Sequence, residues 1–210
     1  MTEKEGVIKY RLTHKQQRIE AIFSLKALDA SRQILFKLAL IGQDPERYEG
    51  LGFGNISQRL QEHSSQFIIT GSQTGMIVSI APEQMALVLE ADIQHNSLRS
   101  LGLYQPSSES LTHASLYALN TNIQAVIHVH SPVIWRHTHA LQLPFIAAEI
   151  PYGTVAMANE VARLYHSGCL QKTSLFTMLG HEDGVVAFGD TIESAGLKII
   201  QYLALAQQCE

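Results

Sequence analysis

The sequence predicts an α/β fold, an α+β arrangement in three layers whose central, mostly antiparallel or mixed β-sheet is flanked by helices. Three observations predict it. Strand-like and helix-like stretches alternate along the 210-residue chain. One stretch, Ala125-Val126-Ile127-His128-Val129-His130, is a clear strand closed by Pro132. Low-complexity tracts, internal repeats and Pro/Ser linkers are missing, so the expected organisation is a flexible arm over residues 1–13 and a single domain over 14–210.

Each element has its own signal. Over residues 14–41 apolar side chains recur at helical spacing (Ile19, Ile22, Phe23, Leu25, Leu28, Ile34, Leu35, Leu38), with Gly42 as the expected C-cap, so one long helix or two in succession should form. Glycines 50, 52 and 54 break regularity before a short alternating stretch over 56–60. Phe67-Ile68-Ile69-Thr70 is strand-like, residues 71–75 form a polar turn, and 85–89 give another short strand. Ser107 or Ser108 can cap a helix that carries Glu109, Leu111, Leu116 and Tyr117. Pro132 ends the central strand or starts the next helix in its first turn. A helix near 159–166 and strands near 174–178 and 185–188 follow. The last element is a helix over 191–207 with Thr191 as N-cap.

Composition narrows the function classes. A chain with 46% hydrophobic and 16% charged residues is an ordinary globular protein, and its formal net charge of -4 comes with scattered basic residues instead of a basic stripe. No nucleic-acid partner is expected. No apolar run approaches the roughly 20 residues that span a bilayer, and the polar start lacks a signal peptide's apolar core, so no membrane role is expected. Two unclustered cysteines, Cys169 and Cys209, suggest a reducing compartment and a cytoplasmic location.

The chemistry concentrates in histidine. Side chains two apart on a strand share a face, roughly 6.5–7 Å apart at the backbone. His128 and His130 can therefore converge on one ion. The bland alternative is two polar residues on an exposed strand face. Two features favour the metal: the strand is otherwise apolar throughout, and a third histidine, His181, lies in a turn between two predicted strands. His14, His63, His95 and His166 sit in polar or helical surroundings and read as surface residues. His113 falls four residues after Glu109, on the same helix face, where it could support the site from behind.

These pieces, taken together, resemble the class II aldolase/adducin family, whose enzymes include L-fuculose-phosphate aldolase and L-ribulose-phosphate epimerase. The matching segments are Gly54-Asn55-Ile56-Ser57, Phe67-Ile68-Ile69-Thr70 with Thr74-Gly75, and Pro106-Ser107-Ser108-Glu109 with His113 and Tyr117. Residues 125–131 and 179–189 complete the set. They occur in the family's order and span about residues 30 to 205.

The resemblance implies a divalent metal cofactor, zinc as the best guess, held by His128, His130 and His181. It implies Glu109 as catalytic acid/base and Asn55, Thr74, Gly75, Ser107 and Ser108 as the substrate-phosphate pocket. The implied activity is that of an aldehyde-lyase, the retro-aldol cleavage of a small phosphorylated sugar or related hydroxy-carbonyl compound through a metal-stabilised enediolate. The alternatives are dehydration of a thiosugar phosphate or decarboxylation on the same scaffold, or a non-catalytic adducin-like interaction module. A homo-oligomer, a tetramer by resemblance, is also implied. The chain departs from the family pattern in four places. Glu182 and Asp183 lengthen the loop between His181 and Gly184, and Gly71-Ser72-Gln73 lengthens the turn before Thr74. No tyrosine stands in Phe145-Ile146-Ala147-Ala148-Glu149, where an aldolase's proton donor is expected, and Val133 stands where the epimerase-type histidine is expected.

Overall fold

Residues 6–20 and 23–210 are described in the computed structural model of the protein. In chain order the elements are β1 (Arg11–Gln16), α1 (Lys26–Lys37), β2 (Gly42–Gln43), β3 (Gly52–Phe53), β4 (Asn55–Arg59), β5 (Phe67–Thr70), β6 (Met85–Asp92) and β7 (Ser97–Gly102). Then come α2 (Ser110–Leu119), β8 (Ala125–His130), α3 (Pro132–Arg136), β9 (Phe145–Ile146), α4 (Val155–His166), α5 (Cys169–Thr173), β10 (Leu175–Met178), β11 (Gly184–Gly189) and α6 (Ile192–Gln207).

Nine strands form one sheet in the order β1-β7-β6-β5-β4-β8-β11-β10-β9, and β2 and β3 pair separately. The two end strands, β1 and β9, run parallel to their neighbours, and every other pairing is antiparallel. The sheet is therefore mixed and mostly antiparallel, as the sequence predicts. Strand alternation divides the core into two layers. Val126, Val186 and Phe176 join side chains of α2 and α4 on one face, while Ala125, Ile127, Val129 and Val185 join those of α1, α3 and α6 on the other. β8 lies between both layers, so all six of its residues are buried. A fully buried Ile or Val stabilises the fold by roughly 1.5–3 kcal/mol, and β8 is anchored on its α6 side by such residues. By the same alternation His128 and His130 face the α2 side, where Glu109 opens the helix.

The start of the chain differs from expectation. Residues 11–13, expected in a flexible arm, belong to β1, which pairs with β7 from Arg11↔Ser97 to Gln16↔Gly102. Tyr10 is buried and its hydroxyl donates to the Ser107 carbonyl (2.8 Å). The expected helix over 14–41 shrinks to α1, because its first residues complete a sheet edge whose unpaired backbone groups outweigh local propensity. Ile22 and residues 1–5 lie outside the described residues. α1 buries Leu28, Arg32 and Leu35, and its stop is Ala39, left-handed at φ 54°, in place of Gly42, which sits in β2. β7 was not foreseen, and β6 runs three residues beyond the expected strand. α2 begins at Ser110, later than its serines suggest: the Ser107 hydroxyl accepts the Glu109 N–H (3.3 Å) one turn earlier.

Later elements match closely. Ser131 caps α3 with Pro132 in the first turn, and Thr191 caps α6, its hydroxyl accepting the Ser194 N–H (3.0 Å). Among the described residues no helix is long and apolar enough to cross a membrane.

Candidate metal centre

The middle of the sheet sets the register of the site. His130 pairs with Gly184 and His128 with Val186 in β11, while Asn55 of β4 stands opposite His128 on the other side. The turn that joins β10 to β11 carries His181. Three histidines thereby meet. Their ligand atoms lie within 4.8 Å of one another, and all three residues are buried. Ring centroids are 4.9 to 5.1 Å apart, and Nε2 of His130 is 3.1 Å from Nε2 of His181.

This arrangement fits a shared cation. Two imidazole nitrogens each about 2.0–2.1 Å from one zinc, at a tetrahedral angle, stand roughly 3.3 Å apart. The His128 Nδ1–H donates to the Val185 carbonyl (3.2 Å), which fixes the tautomer with its lone pair on Nε2. Burial, together with His181, His128 and Arg47 nearby, holds His130 well below the usual histidine range, so its ring is neutral and ligand-ready at pH 7.

The loop that carries Glu182 and Asp183 brings His181 to the other two histidines. Asp183 turns that loop in a left-handed conformation (φ 61°). Its carbonyl accepts the Ser131 N–H (2.8 Å) and its carboxylate accepts the Tyr48 hydroxyl (2.7 Å). The Gly184 N–H then closes back on the His181 carbonyl (2.9 Å).

Glu109 is fully buried and lies beside this cluster, Oε1 at 3.3 Å from His181 Nδ1. Burial alone would push its carboxyl up, but the contact with His181 and the positive charge that His128 and His181 carry when protonated, in the metal-free protein, hold it down to about 2. It is therefore ionised at neutral pH. Behind it, His113 is also fully buried, with Nδ1 on the Ser57 hydroxyl (2.7 Å), which in turn meets the Tyr117 hydroxyl (2.8 Å). Burial, with His128 adding to it and Glu109 opposing it, lowers His113 to about 3, so this ring stays neutral.

The five residues expected to hold a phosphate also come together. Asn55, Thr74, Gly75, Ser107 and Ser108 line one small cavity next to Glu109. Two glycines make its close walls. Gly54 has φ 72°, and a Cβ there would lie 3.1 Å from the His128 carbonyl. A Cβ on Gly75 would lie 2.2 Å from the Gly42 carbonyl, so only glycine fits that crossing. Arg32, buried in α1, donates to the carbonyls of Thr74 (3.0 Å), Ile77 and Val78 (2.9 Å) and so pins the loop from behind.

Aromatic side chains that the sequence does not single out pack on the histidines. The Tyr48 ring meets His130 (4.5 Å) and the Tyr152 ring meets His181 (4.6 Å). Neither has a local signal: Tyr48 lies in a loop, and Tyr152 follows the stretch searched for a proton donor.

The family described as class II aldolase and adducin N-terminal domain matches residues 45–209. No curated protein matches the sequence. Several solved structures share the fold at low identity. L-fuculose-1-phosphate aldolase from Thermus thermophilus is 21% identical, with a TM-score of 0.59 over 87% of this chain and 91% of that one. Sugar-phosphate aldolase from Thermotoga maritima is 17% identical, with a TM-score of 0.61 over 86% and 90%. YgbL from Escherichia coli is 16% identical, with a TM-score of 0.63 over 86% and 85%.

Proposed function

Because the chain belongs to the class II aldolase and adducin family, we propose that it is a metal-dependent aldehyde-lyase that cleaves a small hydroxy-carbonyl compound of the sugar or sugar-phosphate class. One observation carries the reading: three buried histidines with mutually close ligand atoms stand beside a fully buried carboxylate. A non-catalytic module has no physical need for that combination, since burying Glu109 and three imidazoles in place of apolar side chains costs stability.

His128, His130 and His181 would hold the cation, and zinc suits a set of three neutral imidazoles with further positions left open. When bound, a divalent cation supplies Lewis-acid stabilisation of negative charge developing on a substrate oxygen. The protein's own groups do the rest. Glu109, ionised at neutral pH, takes the proton from the substrate hydroxyl whose carbon becomes the aldehyde. The carbon–carbon bond then breaks, and Glu109 returns the proton to the carbon left behind. Neutral His113, held by the Ser57 hydroxyl that also meets Tyr117, lies near Glu109 without adding charge. The cavity at Asn55, Thr74, Gly75, Ser107 and Ser108 would hold the far end of the substrate. Burial of the whole set keeps bulk water from the reacting atoms.

The test is product analysis on a panel of sugars and sugar phosphates, with the native protein and Glu109→Gln. A carbonyl fragment released by the native chain, with kcat about 100-fold or more lower in the variant, is expected. Release of water or carbon dioxide in place of an aldehyde would move the assignment to a dehydratase or decarboxylase. Equal turnover by the variant would remove Glu109 from the chemistry.

A further inference from the structure

The cavity beside Glu109 is narrow. Its volume is about 20 Å³, little more than the roughly 10–15 Å³ that a single buried water needs.

Gln73 lines one wall of it. Its backbone is left-handed (φ 58°), a conformation that glycine adopts far more readily. Its amide oxygen accepts the Gly52 N–H (3.0 Å), which engages a backbone donor on the cavity rim. Its amide nitrogen abuts residue 6, where a Cβ would lie 2.6 Å away, so the segment before β1 closes over this side chain because residue 6 is glycine. Among the described lining residues none is Lys or Arg. The buried Oδ1 of Asn55 has no hydrogen-bond partner among the described residues. A substrate hydroxyl can donate to that acceptor, whereas a phosphate dianion only accepts.

We infer that Gln73 makes this subsite select an uncharged, hydroxymethyl-like terminus over a phosphate. The substrate is then an unphosphorylated polyhydroxy carbonyl compound. Naming a substrate rests on the lyase reading; the selectivity of the cavity does not.

Inorganic phosphate titrated calorimetrically against the full chain and against Gln73→Gly tests the inference. Glycine suits the left-handed backbone, so the variant should fold, with its melting temperature as the check. The variant is expected to bind phosphate about tenfold or more tightly than the native protein. Any attraction of phosphate to a bound cation is common to both proteins and cancels in the ratio. A smaller ratio, or tighter binding by the native chain, overturns the inference. The comparison needs no turnover, so a chain without lyase activity still answers it. A failure of the lyase reading would show instead as Glu109→Gln turning over at the native rate.

Discussion

Nε2 of His130 and Nε2 of His181 lie 3.1 Å apart although 51 residues separate them in the chain. Two buried imidazole nitrogens at that distance gain most from a cation between them. Removal of one should therefore unmake the centre. His130→Ala is expected to lower metal affinity by about 100-fold or more, beyond the 10–100-fold typical of losing an outer hydrogen-bond partner. Metal content measured after dialysis against a weak chelator, with circular dichroism as the fold check, gives the answer. A variant that keeps stoichiometric metal would dismiss His130 as a ligand.

His113 offers a pH test away from the ligand atoms. Its ring is lowered to about 3 in the fold, against an ordinary value of about 6.5 in the unfolded chain. Between these values the unfolded state binds more protons, so stability must rise with pH and be lost as pH falls from about 6.5 towards 3. For a fully buried group with these values the loss from pH 7 to pH 5 is about 2 kcal/mol. Urea unfolding of the native protein and of His113→Asn at both pH values should show a difference of roughly this size between the two slopes of stability against pH. Parallel slopes would mean that His113 carries its proton in the fold.

Much of this centre was legible in the chain because its parts obey local rules. His128 and His130 share a strand face by alternation, and the apolar residues between and before them announce that the strand is buried. Thr191 marks a helix start by a side chain that reaches only its own next turn, and Pro132 marks another by its fixed backbone angle. What stayed hidden depends on partners distant in sequence. Residues 11–16 are mostly polar and β7 mixes serines, an arginine and leucines, so neither declares a strand alone; each is defined by the backbone of the other. Tyr48 and Tyr152 touch the histidines only once two loops distant in sequence have folded together. Gln73 stands in a polar turn, but its direction depends on a left-handed backbone that no local pattern announces.

Arg32 links the helical layer to the cavity lined by Thr74 and Gly75. Its guanidinium is almost wholly buried and donates to three successive parts of the loop that carries Thr74 and Gly75, while Asp29 on the same helix accepts the Ile80 N–H (2.8 Å). Arg32→Met keeps the length and the apolar stem but leaves buried carbonyls without donors. The expected loss is roughly 3 kcal/mol of unfolding free energy, measured by denaturant titration. Hydrogen exchange should rise across residues 74–78 more than in α6. Uniform change across the chain would argue that Arg32 stabilises the whole fold and does not position this loop.

Tyr48 and Asp183 tie the loop that carries His181 to the rest of the site. Tyr48 itself is left-handed (φ 49°), as are Glu49 and Gly50 after it, so the turn stores backbone strain that its contacts must offset. Arg47 donates to the Tyr48 hydroxyl (2.7 Å), which itself donates a hydrogen bond to the carboxylate of Asp183, two residues beyond His181. Tyr48→Phe removes that link and keeps the ring against His130. The His181 loop should then sample more positions, and metal affinity should fall by about 10-fold, in the range expected when a ligand loses its outer support. The global melting temperature of the metal-free protein should move by only a few degrees, since a half-exposed hydrogen bond contributes about 1 kcal/mol. Equal metal affinity in the variant would mean that the turn's own backbone bonds, from Gly184 to His181 and from His181 to Met178, already hold the third ligand without Tyr48.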